Sequence, residues 1–553
     1  MTSTLPIRAA APPWRDLVDL PMLAAIALLL PVVFLLAPLP IDETRYLAVA
    51  WEMRQTGEFL VPHLNGATYA HKPPLLFWLI NAGWALTGVH AWTARAMTLL
   101  CSFASLALLH RLTWRLTASV AAARIAVWVL LGAIYFAAFA NAIMFDVLLA
   151  TCVLLAAHGV CDLVDARTAR GVTLTGVALG LGILVKGPVM LLDIAAFALL
   201  APWWSADRLA GRRARYFGAL AASLLLGAVI GLAWAIPAAL HGGDAYAHAI
   251  FLRQTFDRIE GVKGASTHGR PFWWYGMIFP FMLLPWPLVL RGRWNALRDL
   301  AAARDVRFAL AWLAPTFIAF SLIGGKQPHY LLPAIPAFAL LVAAAIDRGG
   351  WRVRHGLLGL CMLAVGAAVA YLPHYARTHG GPIVLEDVSP GWGIATALLG
   401  AAMLVFARRL RGPAWATLAT IACVLMVKLA IVQGTGTRYD IGLVAQRIQV
   451  AQEQGRPIVH MGWHHGVYEF AARQSEPLQV LHDIGELERW AATHPDGLVV
   501  SFYERFRFRA TPVFTTPFRG VEVSIWNVRE ALASGVDPSV AHSRDAEEDA
   551  SDD

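Results

Sequence analysis

The sequence predicts a polytopic α-helical membrane protein with a small soluble α/β domain near its C-terminal end, and three observations indicate this fold class. Of the 553 residues, 58% are hydrophobic and only 15% are charged, which excludes an ordinary soluble protein. Apolar runs of about 20 residues, the length a helix needs to cross a bilayer, recur along most of the chain. From residue 438 onward the composition becomes that of a soluble protein.

Thirteen apolar runs are predicted to be transmembrane helices. They cover residues 19–40, 93–112, 120–140, 147–165, 171–186, 188–203, 216–238, 273–290, 308–323, 330–347, 356–373, 391–407 and 413–433. A further stretch, 73–89, is also apolar enough to span. Counting it would move every later basic loop to the other side of the membrane, so we predict an interfacial helix there.

Arginines set the predicted orientation. If the N-terminus is inside, every inner loop is basic, as the positive-inside rule requires. These arginines are Arg111, Arg115, Arg124, Arg167, Arg170, Arg208, Arg212, Arg213, Arg215, Arg291, Arg293, Arg298, Arg304, Arg307, Arg348, Arg352, Arg354, Arg408, Arg409 and Arg411. They account for the net charge of +8, so nucleic acid is not an expected partner.

The same threading divides the chain into three parts. Residues 1–437 form the transmembrane part, with outer loops at 41–92 and 239–272. Residues 438–532 alternate β-like runs, such as PIVHMGW and VEVSIWNV, with helical runs, which predicts an α/β domain on the outer face. Residues 533–553 are polar and acidic enough to predict a disordered tail.

Three acidic residues are the candidate catalytic groups. Asp42 and Glu43 follow directly on the first apolar run, and Asp146 lies at the edge of another run with no basic residue near it in sequence. Carboxylates beside the hydrocarbon layer are costly unless they have a partner or a wet cavity. The alternatives are a solvated helix cap for the first two and a structural ion pair for Asp146.

Cations gather on the same predicted outer face. Lys72 lies just before a Pro-Pro pair, Arg270 precedes the aromatic run PFWWY, and Lys326 lies in the turn GGKQPHY. Together they would form a cradle for a phosphate. Lys72 is also able to snorkel to a lipid phosphate without functional consequence, and PFWWY alone is typical of an interfacial anchor. A divalent metal held by His71 and His268 is a further alternative.

The motifs DETRY, HKPPL, MFD, LVKGP, RPFWWY and KQPHYLLPAIP, in this order, resemble the bacterial branch of the protein mannosyltransferase superfamily, whose members are membrane glycosyltransferases of the GT-C type. The resemblance spans residues 38–340 and is greatest to the 4-amino-4-deoxy-L-arabinose (aminoarabinose) lipid A transferase family. One departure is His71, where that family often carries Glu, so no role is carried over to that position.

The resemblance implies an inverting transfer of aminoarabinose from undecaprenyl phosphate to lipid A phosphate, at the periplasmic face of the bacterial inner membrane, with no required cofactor. It implies Asp42, Glu43 and Asp146 as catalytic residues. The donor phosphate would be held by Arg45, Tyr69, Lys72, Arg270, Lys326 and Tyr330. The alternatives are a related transferase with another sugar or a hydroxyl acceptor, a lipid-linked sugar flippase, and a scaffold for polysaccharide assembly.

Overall fold

The computed structural model describes residues 20–251, 269–379, 383–435, 440–502, 506–518 and 521–537. The first half of the helical part contains twelve α-helices among these residues. They are α1 Leu20–Leu35, α2 Asp42–Thr56, α3 Leu75–Thr87, α4 Ala91–Thr117, α5 Val120–Gly132, α6 Ile134–Phe139, α7 Phe145–Val164, α8 Thr168–Lys186, α9 Val189–Leu199, α10 Ala201–Trp204, α11 Ala206–Leu209 and α12 Arg213–His248.

The second half of the helical part continues the bundle. Its α-helices are α13 Trp274–Met282, α14 Trp286–Val289, α15 Trp294–Leu300, α16 Arg304–Leu322, α17 Ile335–Asp347, α18 His355–His379, α19 Ile383–Glu386, α20 Pro390–Val405 and α21 Pro413–Thr435. A 3₁₀ helix, Pro328–Ala334, leads into α17.

Every predicted span coincides with a helix or with two helices in succession. Eight of the described helical segments are long and apolar enough to cross a membrane, and five further apolar helices are shorter. The predicted runs 120–140, 188–203 and 273–290 are each divided into two helices. The chain is thus a polytopic helical membrane protein. Helix α3 fills the predicted interfacial stretch, and its 13 residues would extend only about 20 Å, less than the roughly 30 Å of a hydrocarbon core.

The predicted second outer loop, 239–272, begins within α12, which continues to His248. A kink at Gly243, whose φ of 81° is in the left-handed region, interrupts but does not end the helix. The outer part of α12 lies against the first outer loop, 41–92, where the indole Nε1 of Trp234 donates a 2.9 Å hydrogen bond to the carbonyl of Leu60. Tertiary contact has therefore overridden the local signal of two glycines.

A seam of glycines packs α7, α8 and α12 closely. A Cβ at Gly159 would lie 2.3 Å from Oγ1 of Thr175, and one at Gly180 would lie 2.5 Å from Cβ of Ile230. Small residues let helix backbones approach in this way. Because α7 and α8 are antiparallel and of nearly equal length, the seam brings the start of α7 beside the end of α8 at one end of the bundle.

The first outer loop contains a two-residue hairpin, β1 His63–Leu64 and β2 Ala67–Thr68. Its turn residues are Asn65 (φ 52°) and Gly66 (φ 79°), so both have the positive φ of a type I′ turn. The hairpin follows α2 and precedes α3 in the same loop.

The two ends of the bundle differ in charge. At one end, arginines from several predicted inner loops surround two aspartates; the group is Arg115, Asp162, Asp165, Arg167, Arg170, Arg208 and Arg304. At that end too, β3 Leu290–Arg291 pairs with β4 Arg352–Val353. The opposite end carries α2, the start of α7, and the turn at 324–327, which the backbone of Arg270 contacts. The predicted outer segments therefore share one end.

The C-terminal module, defined as the described residues from Asp440 to Asp537, is built on one five-stranded sheet. The strands are β5 Ile458–Met461, β6 Gln479–Leu481, β7 Leu498–Phe502, β8 Phe514–Phe518 and β9 Val521–Asn527, and the helices are α22 Gly442–Glu453, α23 Glu469–Ala472, α24 Ile484–Thr493 and α25 Val528–Ser534. The strand order is β6-β5-β7-β9-β8, in which β6, β5 and β7 are parallel.

Two features of this module differ from the sequence expectation. The strand β8 was not predicted, because its sequence FTTPF contains a proline; it lies at the sheet edge, where proline is tolerated. The predicted start of the tail at residue 533 is too early, because α25 ends at Ser534 and Val536 forms a bridge with Phe508. Residues 538–553 and the predicted junction at 437–438 lie outside the described residues.

Candidate active site

The start of α2 presents the first candidate carboxylate. Asp42 and Tyr46 are four residues apart and lie on one face of the helix, and Asp42 is exposed. The hydroxyl of Tyr46 donates a hydrogen bond of 3.2 Å to Oδ1 of Asp42. Burial, together with the negative charge of Asp42, raises the pKa of Tyr46 well above its ordinary value, so the phenol stays protonated and oriented. The Asp42 carboxylate is thus held in place and still open to a ligand.

Glu43 faces the opposite way and is 5% exposed. Its Oε2 lies 2.5 Å from the guanidinium of Arg95 and accepts a 2.8 Å hydrogen bond from the amide of Leu39. Its Oε1 accepts a 2.9 Å bond from the amide of Ile143. Both oxygens of Glu43 are therefore occupied within the protein. We interpret Glu43 as one half of a structural ion pair with Arg95, and a catalytic role for Glu43 stays a prediction.

Asp146 lies in the first turn of α7, where its negative charge is favourable to the helix dipole. It forms an ion pair with the ammonium of Lys186 at the end of α8, and the two side chains are 3% and 6% exposed. The same ammonium stands 4.4 Å from the ring centroid of Tyr330. Lys186 was not among the predicted phosphate ligands. A lysine at the end of an apolar run, followed by Gly-Pro, was the signal for it.

His329 marks where the separate segments meet. The charges of four residues act on its imidazole, and these are Asp42, Lys72, Asp146 and Lys186. They come from α2, from the segment before α3, from α7 and from α8. The first outer loop and the bundle core therefore converge on one site at the outer end of the bundle, next to the 3₁₀ helix.

Tyr69 and His71 form the wall of the site that follows the hairpin. Tyr69 is buried, and its ring centroid lies 5.1 Å from that of His71 and 6.2 Å from that of Phe77. The phenol of Tyr69 also acts electrostatically on Tyr46. Lys72, half-buried, follows directly in the chain. Four of the predicted residues, Asp42, Tyr69, Lys72 and Asp146, are thus brought together. Arg45, also half-buried, lies beside them on α2.

Arg270 and Lys326 belong to two turns that are joined to each other. The amide of Arg270 donates to the carbonyl of Gly324 (3.3 Å), and the guanidinium stands 5.8 Å from the ring of Trp274. The ammonium of Lys326 donates to the carbonyls of Arg270 (2.9 Å) and Ile323. Burial lowers the pKa of Lys326. Because two of its three donors bind main-chain oxygens, Lys326 holds the two turns together, and its role as a phosphate ligand stays a prediction.

The metal alternative gains no further ligand from the structure. His268 lies outside the described residues, and within them no group of three or more His, Cys, Asp or Glu side chains is arranged to hold a metal ion. His71 is half-buried against Tyr69. A metal at His71 stays a prediction.

The arrangement separates two kinds of charge. Asp42 offers an exposed carboxylate, while Lys72 and Lys186 offer ammonium groups that are half-buried and buried respectively. Cations in such a low-dielectric setting stabilise a developing anion strongly, and an open carboxylate beside them is able to orient or deprotonate a second reactant. The site is thus suited to stabilise a phosphate leaving group while its bond to a carbon atom breaks.

Comparisons with known proteins identify relatives of this chain. A family model described as dolichyl-phosphate-mannose-protein mannosyltransferase matches residues 71–234. The undecaprenyl phosphate-alpha-4-amino-4-deoxy-L-arabinose arabinosyl transferase of Edwardsiella ictaluri (strain 93-146) is 30% identical over 430 residues, which cover 72% of this chain and 74% of that protein. The protein of the same name from Pseudomonas aeruginosa (strain LESB58) is 31% identical over 356 residues, 60% of this chain and 61% of that protein.

Solved structures show the same fold. The crystal structure of ArnT from Cupriavidus metallidurans bound to undecaprenyl phosphate matches with a TM-score of 0.71 at 19% identity, over 91% of this chain and 97% of that one. Its apo state matches with a TM-score of 0.71 at 20% identity, over 93% and 98%. The fold is therefore of the GT-C type. With 30% identity across 74% of the Edwardsiella ictaluri protein, this chain belongs to the family of undecaprenyl phosphate-alpha-4-amino-4-deoxy-L-arabinose arabinosyl transferases.

Proposed function

We propose that this protein transfers 4-amino-4-deoxy-L-arabinose from undecaprenyl phosphate to a phosphate of lipid A. The observation that carries the proposal is the grouping of the exposed carboxylate of Asp42 with the buried pair Asp146–Lys186. Tyr46 bonds to Asp42 and its ring lies 4.9 Å from that of Phe145, the neighbour of Asp146. The names of the family members support the sugar and its lipid carrier.

The chemistry of the donor explains why cations dominate the site. The bond that breaks joins the anomeric carbon to a phosphate oxygen, and the leaving group is already a stable anion, so it needs no general acid. It needs positive charge at the place where negative charge develops. Lys72, Arg270 and Lys186 are the candidates for that role, with Tyr69 and Tyr330 as hydrogen-bond donors.

The acceptor determines the role of Asp42. A phosphate monoester has a second pKa near 6 and is largely ionised at neutral pH, so it attacks without a strong base. Asp42 then orients the acceptor, accepts a residual proton or binds the ammonium of the sugar. Attack opposite the leaving phosphate inverts the anomeric centre. If the acceptor were a hydroxyl group instead, Asp42 would be the general base.

The test is transfer by the purified full-length protein in detergent, with undecaprenyl-phosphate aminoarabinose and lipid A, followed by mass spectrometry of the lipid A. We expect a product without any membrane gradient, and Asp42→Asn should lower its formation at least 100-fold while leaving the fold intact. The matched control is Asp207→Asn, which changes an exposed carboxylate at the opposite end of the bundle. A well-folded wild type that forms no product would defeat the proposal, and lipid movement without transfer would indicate a flippase.

The orientation is a separate part of the proposal. The protein is a multi-pass inner-membrane protein, and we infer that the site and the C-terminal module face the periplasm, because the arginines gather at the opposite end. An alkaline-phosphatase fusion after residue 440 should be active and one at residue 210 inactive. The reverse pattern would place the site in the cytoplasm.

A further inference from the structure

The C-terminal module lies directly on the first outer loop, 41–92. Its contact surface is the segment between β5 and β6, which includes α23. Gly466 in this segment approaches α2 and the hairpin so closely that a Cβ there would lie 2.6 Å from Cδ1 of Leu64 and 3.3 Å from Cβ of Ala48. Its φ of +72° also favours glycine. At this contact the backbone of the C-terminal module packs directly against side chains of the first outer loop.

Three sets of polar contacts fix this interface, and the first is on α2. The indole of Trp51 and the amide of Gln55 both donate to the main-chain oxygen of Gln474, at 2.9 and 3.0 Å. The two donors are one helical turn apart, so they fix the position of the helix relative to one point of the module. Asp42 begins the same helix.

The second set is at the tip of the hairpin. The side-chain amide of Asn65 donates to the carbonyl of Leu478 and accepts from its N–H, both at 2.8 Å. One side chain thus satisfies both main-chain groups of its partner, as a neighbouring strand would. Lys72 lies seven residues further along the chain from this contact.

The third set is at the end of α3. Arg473 donates a 2.9 Å hydrogen bond to the carbonyl of Val89, and its guanidinium lies 3.9 Å from the ring centroid of Phe470. The ring of Phe470 stacks on that of Trp84 at 5.5 Å with an interplanar angle of 13°. The segment that carries Lys72 is therefore held on both sides, at Asn65 and at Val89.

We propose that the C-terminal module is a clamp that sets the catalytic geometry of the first outer loop, with Asn65 and Arg473 as positioning residues for sugar transfer. The inference rests on the proposed function. Asp42 and Lys72 belong to a loop that the C-terminal module contacts at three points. A displacement of about 1 Å at a reacting group is able to cost on the order of 100-fold in rate, so a module remote from the chemistry has a strong effect on turnover.

Two variants loosen the clamp without touching the site. Asn65→Gly keeps the positive φ of the turn and deletes both hydrogen bonds, whereas Asn65→Asp keeps the acceptor for the amide of Leu478. Arg473→Met keeps an unbranched stem over Phe470 and deletes the donor to Val89. The matched control is Arg489→Met, which changes an exposed arginine on α24 of the same module.

We expect Asn65→Gly and Arg473→Met each to lower kcat at least tenfold, with less than a threefold change in KM for the lipid-linked sugar. Asn65→Asp should lie between Asn65→Gly and wild type, and Arg489→Met should equal wild type. The double variant should lose less than the product of the single losses, because both act on one clamp. Unchanged kcat in both single variants, or a rise in KM alone, would overturn the proposal.

Hydrogen exchange of the amides of residues 42–56 separates this proposal from the proposed function. In Arg473→Met and Asn65→Gly these amides should exchange faster than in wild type and in Arg489→Met, whether or not the wild type transfers the sugar. If the wild type is inactive but exchange responds, the function is wrong and the clamp stands. If the wild type is active but neither exchange nor kcat responds, the clamp is wrong. Should Arg473→Met not fold, Asn65→Gly alone decides.

Discussion

Helix α7 carries a buried carboxylate at each end, and the two differ in their partners. Asp162, fully buried, lies 2.7 Å from Arg115, 3.1 Å from Arg170 and 3.6 Å from Arg167. Asp146, 2% exposed, is paired with Lys186, at the site where the charge of the exposed Asp42 also acts. Burial alone therefore does not distinguish a structural carboxylate from a functional one. The charged groups around each carboxylate make this distinction.

The difference follows from the chemistry of the partners. Several planar guanidinium groups around one carboxylate form directed ion pairs and leave it in a region of excess positive charge, where it is held firmly. A single lysine is a compact charge on a flexible stem, so a ligand phosphate is able to compete for it. We interpret the ion pairs of Asp162 as a structural link between helices, and the ion pair of Asp146 with Lys186 as one that responds to substrate.

Asn substitutions at the two ends give the largest expected contrast. Asp146→Asn should lower transfer at least 100-fold, whereas Asp162→Asn should lower thermal stability and leave the turnover of folded protein within about threefold. Removing one partner of a buried ion pair costs about 3–5 kcal/mol, so both variants should also unfold at lower temperature. The measurements are kcat per folded molecule and the unfolding temperature.

A double variant separates the loss of stability from the loss of sugar transfer at Asp146. Asp146→Asn with Lys186→Gln removes the orphaned charge as well, so much of the stability should return while transfer stays lost. Wild-type turnover in this double variant would show that the ion pair of Asp146 with Lys186 is structural, like the ion pairs of Asp162.

A smaller contrast separates the two outer lysines. Lys72→Ala should lower kcat/KM at least tenfold, equivalent to about 1.4 kcal/mol of transition-state stabilisation. Lys326→Met should lower it less than threefold, because its ammonium already binds the carbonyls of Arg270 and Ile323. Initial rates at varied donor concentration measure both. The opposite ranking would place the donor phosphate at the turn 324–327.

The sequence predicted the spanning helices and four of the five strands of the C-terminal module because their signals are local. Hydropathy over about 20 residues locates a span, and the runs VEVSIWNV and GLVVSFY became β9 and β7. The Asn65-Gly66 hairpin had an equally local signal that was not used. Where a helix ends is less local, and α12 continued past its glycines because it packs on the first outer loop.

The pairings in the site had no local signal. Asp146 and Lys186 are 40 residues apart in sequence, and only the packing of α7 on α8 brings them together. Asp42 and Glu43 are adjacent and chemically alike, so their roles differ only through the partner of Glu43, Arg95, on another helix. The sequence therefore indicated the candidate residues, whereas their partners in the structure could not be predicted from it.

Glu469 in the C-terminal module is another buried carboxylate, and its partner differs again. Its Oε1 lies 3.4 Å from Nδ1 of His464. Burial, with a smaller contribution from the charge of Glu52, raises the pKa of Glu469 to about 8. Burial and the neighbouring His460 and His465 lower the pKa of His464 well below its ordinary 6.5. Both members of the pair are therefore neutral at pH 7, unlike the charged pairs of α7.

This pair predicts the smallest effect, a dependence of stability on pH. Because the folded state keeps a proton on Glu469 that the unfolded chain releases above pH 4.5, stability should fall as the pH rises from about 4.5 to about 8. His464 opposes this only below pH 6.5, where protonation favours the unfolded chain. Unfolding temperatures should therefore decrease from pH 6.5 to pH 8. Glu469→Gln should remove that slope, and Glu488→Gln, at an exposed position on α24, should retain it.

The hydrogen bond between Trp51 and Gln474 joins residues 423 positions apart, which has a consequence for biosynthesis. Ribosomes add about 5–20 residues per second, so roughly 20–85 s pass between the synthesis of these two partners. During that time the helices of the bundle enter the membrane while the first outer loop lacks its partner surface. We expect the loop to acquire its final arrangement only after residues 473–478 have been synthesised, so a chain released before them should enter the membrane without these contacts.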